Sequence, residues 1–308
     1  MKNYSLTMRD FPKGLNGSLV LPFTEKSLIR SAIAAGQNPN KIFNAKDAKA
    51  HIDGLAALVR SSLDCSGPSL RATTHFQALG STNKGTKSFL IGNTLCAHAA
   101  YKTLNIRWLV DIETPPPRLN FKFKKGRKRR PDFVGRDNKN QWYVFESKGR
   151  TSCPTPAELS EWKEQARMIQ MINGIKPVHH IVSASHLNVN NDWEVLWLDP
   201  AFDDGFGINL PDDRFFKSYY STLDLTLRGN ENLLQESEHG LLIPLPEAGV
   251  SVGLHKDIVR ALREMDYASI VNFSLQDHEQ EVGPEPTGTT VFADGILIRI
   301  DRIMRMAR

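Results

Sequence analysis

The clearest two-residue period in the chain lies at residues 142–148, and charged groups are set directly into it. Trp142, Val144, Glu146 and Lys148 fall on one side of an extended segment, and Tyr143, Phe145 and Ser147 on the other. Both sides are largely apolar, which predicts a central strand covered on both faces. Just before it, Pro131-Asp132-Phe133-Val134-Gly135 reads as a second strand. The polar turn Gly135-Arg136-Asp137-Asn138-Lys139-Asn140 folds that strand back and lays Asp132 beside Glu146. Further strands are predicted at residues 106–113, 178–184 and 192–198, with Pro115-Pro116-Pro117 ending the first.

Helical periods frame these strands. Residues 25–35 and 46–63 read as helices, the second with Ile52, Leu55, Leu58 and Val59 on one face. Residues 80–87 miss the phosphate-binding loop pattern, because the Lys-Ser/Thr pair is out of register and no buried strand precedes them; they read as a linker. A helix over residues 88–104 packs through Phe89, Leu95, Cys96, Ala99 and Ala100. Another starts at Thr155, with Pro156 in its first turn and Glu158 completing a capping box. Its apolar face is Leu159, Trp162, Ala166, Ile169 and Ile172, and Asn173-Gly174 stops it. Gln165 falls inside that face and needs a polar partner. Farther on, residues 212–228 and 255–265 read as helical and residues 240–245 and 289–300 as extended, with Asp294-Gly295 a turn or bulge.

Composition narrows the class. The net charge of +5 is mild, but its distribution is not. Lys122, Lys124, Lys125, Arg127, Lys128, Arg129 and Arg130 crowd into residues 122–130, with Phe121 and Phe123 at the start. Such a run is either a solvated loop or a nucleic-acid contact, and its position against Asp132 favours the second. Cys65, Cys96 and Cys153 lack zinc-site spacing, which predicts a reduced, cytoplasmic setting. No apolar run approaches a membrane span, and residues 1–7 lack the apolar core of a secretory signal, so no membrane is expected. The nine histidines are scattered; His179 and His180 are adjacent on a strand and face opposite ways, and no Ser-His-Asp or Cys-His set can be assembled.

Chemistry therefore centres on Asp132, Glu146 and Lys148. Charges set into a covered strand are costly unless they pair or hold a metal. Two carboxylates and a lysine at one sheet edge suit a hard divalent cation and a polarised water. Glu161-Trp162-Lys163 repeats the Glu-x-Lys spacing on a helix, where residues two apart diverge by about 200° and cannot share a cation.

Pro131-Asp132, thirteen residues, then Glu146-Ser147-Lys148 resembles the motif of the PD-(D/E)XK nuclease superfamily. The order helix, strand, strand with Asp, strand with Glu-x-Lys, helix, strand is also that superfamily's common core, and here it covers about residues 86–200. The resemblance implies an α/β restriction-endonuclease-like core, a mixed central sheet flanked by helices. A helical region over 1–85 and a mixed α+β region over 201–308 are added to it. It implies an endo- or exonuclease acting on nucleic acid, with DNA preferred and RNA left open, and with magnesium or manganese (Mg2+ or Mn2+) held by Asp132 and Glu146. Lys148 would orient or activate the attacking water, and Gln165 would sit near the metal, as a Gln or Lys does in many members. Many members also carry an acid on the opening helix. Residues 87–104 have none, which leaves Asn93, Asp111 or Glu113 as substitutes. Two other readings stay open: a non-catalytic nucleic-acid-binding protein on the same scaffold, and a structural protein whose acids merely pair with Lys148. Oligomeric state is left open, a homodimer included.

Overall fold

The computed structural model describes residues 2–12, 14–35, 44–112, 130–200, 205–275 and 288–301. The chain opens with a hairpin, β1 (Asn3–Arg9) and β2 (Gly17–Pro22). Tyr4, Leu6 and Met8 point inward along β1 while Ser5 and Arg9 stay exposed. Then comes α1 (Glu25–Ala35), whose start is fixed by reciprocal bonds between Thr24 and Ser27. α2 (Ala45–Ser62) is capped by the Asn44 side chain, which accepts from the Asp47 N–H. A small ribbon of β3 (Leu63–Asp64) and β4 (Arg71–Ala72) and a short α3 (Thr74–Ala78) lead into α4 (Ser81–Leu104), closed by Asn105 in the left-handed region.

Next are β5 (Ile106–Asp111), β6 (Phe133–Asp137) and β7 (Trp142–Gly149), an antiparallel meander. The turn between β6 and β7 is held by Asp137, whose carboxylate accepts from the Lys139 and Gln141 N–H groups and the Tyr143 hydroxyl. α5 (Pro156–Ala166) has the complete capping box between Thr155 and Glu158. It is followed by β8 (Ile169–Ile172), β9 (His179–Leu187), β10 (Trp193–Leu198) and β11 (Phe206–Ile208). The rest of the chain supplies α6 (Asp212–Arg228), β12 (Gln235–Glu236), β13 (Gly240–Leu245), β14 (Val250–His255), α7 (Lys256–Glu264), α8 (Tyr267–Leu275), β15 (Thr289–Val291) and β16 (Ile296–Ile300).

These elements make a mixed α/β fold around a seven-stranded sheet ordered β2-β1-β10-β9-β7-β6-β5. β1 pairs parallel with β10, and β7 with β9; the other neighbours are antiparallel. α4 packs on the face bearing Phe145, Ser147 and Ser183. α5 covers the opposite face, where Trp162 and Ala166 meet Val182, Ala184, Leu196 and Leu198. The first turn of α6 joins that second face through Phe215 against Trp142 and Phe216 against Trp108. A second, antiparallel sheet, β12-β13-β14-β16-β15, packs against α1 and α6. Its anchor is a buried ion pair. Arg30 on α1 donates to Asp294 in the β15–β16 turn, and Asp294 also accepts from Tyr219 on α6. One apolar cluster runs from Leu6 in β1 to Ile298 in β16.

Several expectations change. Residues 3–22 lie in the region read as helical, yet they form two strands of the central sheet. The segment 80–87 is mostly helix, because α4 begins at Ser81 with Gly80 as its cap residue. The helix begun at Thr155 ends at Ala166, so Ile169 and Ile172 do not extend its apolar face. They belong to β8, which pairs with β11, and Asn173-Gly174 turns the chain after that strand with positive φ at both residues. Asp294 is in a turn as expected, but as a fully buried charge.

Candidate active site

β6 and β7 run antiparallel with Phe133 opposite Phe145, so the next position along the ladder sets Asp132 opposite Glu146. The Asp132 carboxylate then accepts the Ser147 N–H at 2.7 Å, which fixes its orientation at the strand end. Lys148, two residues beyond Glu146, ion-pairs with both acids: its ammonium is 3.7 Å from Asp132 and closer to Glu146. Glu146 is fully buried, whereas Asp132 and Lys148 are partly open to solvent. The strand alternation thus brings Asp132, Glu146 and Lys148 together on the α5 face.

A glycine crossing holds the opposite face. Gly92 on α4 and Gly149 at the end of β7 touch backbone to backbone. A Cβ on Gly149 would lie 1.6 Å from the Ser88 carbonyl oxygen, and one on Gly92 would lie 2.6 Å from the Gly149 nitrogen. No side chain fits there, so the helix backbone braces the strand one residue past Lys148. Next to this crossing, Cys96 is buried with its thiol pushed up to about 12, chiefly by burial. The Ser183 hydroxyl pulls it down and the Asp132 charge pushes it farther up. At neutral pH it is a neutral thiol.

The remaining expected site residues lie elsewhere. Gln165 is half-buried on α5, and among the described residues no side-chain hydrogen bond links it to Asp132, Glu146 or Lys148. Lys163 of the second Glu-x-Lys reaches Asp10 at 2.7 Å, while Trp162 packs inward. Asp111 is paired with Phe133, and the same alternation puts it on the α4 face, opposite to the carboxylate pair. Asn93 is half-buried on α4. Glu113, Lys122, Lys124, Lys125, Arg127, Lys128 and Arg129 fall outside the described residues; Arg130 is half-buried just before Pro131.

Arg150 went unremarked in the sequence. It extends the Glu146, Lys148 alternation by one more step, which was the available signal. Its N–H continues the β7–β9 ladder by donating to Ser185 at 2.8 Å, and its guanidinium lies 5.1 Å from the Trp162 ring centre. At the far end of β7, His179 bonds Asp199 at 2.6 Å beside Phe11 and Tyr143, away from the carboxylate pair.

Among the described residues, no group of three or more His, Cys, Asp or Glu side chains is placed to hold a metal ion. Magnesium does not need three, since it keeps most of its waters and takes one or two carboxylates plus substrate oxygens. The donors at this strand end are two carboxylates, both hard oxygen ligands. With one ammonium between them the cluster keeps a net negative charge. That chemistry fits a divalent cation. No helix among the described residues is long and apolar enough to cross a membrane. Comparison of the chain with protein-family models, with curated proteins and with solved structures found no match.

Proposed function

We propose that the chain is a metal-dependent nuclease on a restriction-endonuclease-like, PD-(D/E)XK scaffold, cleaving DNA in preference to RNA in a reduced, cytoplasmic setting. One observation carries the reading: Asp132, Glu146 and Lys148 converge at the end of a covered central strand, with the Ser147 N–H orienting Asp132. The order α4, β5, β6, β7, α5, β9 supports it, being the order of that superfamily's core.

Asp132 and Glu146 would hold Mg2+ or Mn2+, with the Ser147 carbonyl at the same strand end. A divalent cation held there supplies a Lewis acid for a phosphate oxygen and a lowered pKa for its water. Hydrolysis joins a water oxygen to phosphorus, breaks the bridging P–O bond and returns a proton to the leaving alkoxide. Lys148 has three N–H donors and enough exposure to reach that chemistry. It positions the water oxygen and offsets charge growing on the phosphate. The Ser147 N–H aims the Asp132 carboxylate at the strand end.

The test is a panel of supercoiled, linear and single-stranded DNA and of RNA, incubated with magnesium, manganese or a chelator. Cleavage of DNA that requires the cation is expected. Salt-sensitive binding with no cleavage under any cation would favour a binding protein on the same scaffold.

A further inference from the structure

Arg150 has the geometry of a preset anion receptor. Its N–H is pinned to Ser185, so the residue leaves the sheet on the same side as Lys148, about 7 Å farther along the strand. The guanidinium stacks over Trp162 of α5 at 5.1 Å, and its Nε is 3.3 Å from Glu158, the capping-box acid of that helix. Those two contacts hold the guanidinium against α5. The two Nη groups make no hydrogen bond among the described residues, and the side chain is 45% exposed. A partly exposed guanidinium backed by an aromatic ring can take two phosphate oxygens at once. The Glu158 carboxylate is already occupied by the Thr155 N–H and hydroxyl, which hold its pKa below the usual range. Its Oε2 takes those two bonds, and its Oε1 is the atom nearest the Arg150 Nε.

Resting on the nuclease reading above, we propose that Arg150, backed by Trp162 and Glu158, is a phosphate-binding subsite that grips the nucleic-acid backbone beside the scissile phosphodiester. The subsite is a positioning element. Lys148 and the carboxylates act on the reacting atoms, and Arg150 holds the neighbouring strand in line with them.

The experiment uses the full chain and a short fluorescein-labelled duplex, first in chelator so that binding is read without turnover. Wild type, Arg150→Ala and Arg150→Lys are titrated across a salt series. Arg150→Ala is expected to bind about tenfold more weakly and to lose about one unit of salt slope. Arg150→Lys is expected to keep the slope, because its charge remains, and to lose affinity for want of the flat two-pronged contact. In magnesium, Arg150→Ala should raise KM more than it lowers kcat. A clamp serving only to hold α5 would give a lower melting temperature for Arg150→Ala with the slope and affinity unchanged, and that result overturns the subsite. The nuclease reading fails separately, when wild type binds the duplex but does not cleave it. Wild type that binds no nucleic acid overturns both.

Discussion

At the residue scale, Gly149 shows how tightly the site is tied to the frame around it. A methyl group there has nowhere to go, since the obstacle is the backbone carbonyl of Ser88 and not a side chain that can swing away. Gly149→Ala is therefore expected to destabilise the fold by about 1–3 kcal/mol or more, the usual scale of overpacking a closed contact. Urea melts of the two proteins check this; an unchanged midpoint would mean that α4 and β7 are not in contact as described. Asp132, Glu146 and Lys148 were legible in the sequence because strand alternation is a local property and their spacing is even. Gly149 and Gly92 were not. Each reads as an ordinary glycine until the partner backbone, 57 positions away in the chain, is placed against it.

At the element scale, α4 is fastened to the N-terminal strand by His98. This buried imidazole bonds the Tyr4 hydroxyl on β1 at 2.9 Å and the Ser27 hydroxyl on α1 at 3.1 Å. Burial drops its pKa from 6.5 to about 3, helped by the nearby positive charges of Lys102 and Arg30. The folded protein thus keeps His98 neutral where the unfolded chain would protonate it. Below about pH 6.5 the unfolded state gains a proton that the folded state refuses, so stability falls as pH falls. The slope from this group is at most about 1.4 kcal/mol per pH unit. His180 and His186 are also lowered by burial and act in the same sense. His98→Gln should be less stable near neutrality and lose less on acidification from about pH 7 to about pH 5. Equal acid losses in both proteins would show that His98 titrates normally. The helices α1 and α6 and the strand β13 were legible to the residue, because capping residues and amphipathic periods are local. The strand β1 is harder to read although Tyr4, Leu6 and Met8 alternate plainly, since its role depends on a parallel partner far along the chain, β10, with Ser5 opposite Glu194.

At the scale of the whole molecule, the carboxylate pair sits across the β6–β7 pairing, one strand in from the β5 edge of a sheet whose opposite edge, β2 and β1, comes from the N-terminus. The same core continues into the second sheet through Arg30 and Asp294. The sequence motif spans residues 131–148, but the apolar core around it draws on residues from Tyr4 to Ile298. Long-range pairing of that kind leaves no periodic trace, which is why the central meander was readable and the joining of its surroundings was not.

The central claim is that Lys148 acts in the reaction while Glu146 holds the cation. Single-turnover cleavage of one duplex by wild type, Lys148→Met and Glu146→Gln, across a magnesium titration, tests it most directly, with thermal melting of each protein alongside. Lys148→Met is expected to stay folded and bind the duplex, and its rate at saturating magnesium should fall by about two or more orders of magnitude. Glu146→Gln should shift the magnesium midpoint upward as well as lower the rate. Rates for both variants equal to wild type at every magnesium concentration would contradict the account and place the active site elsewhere.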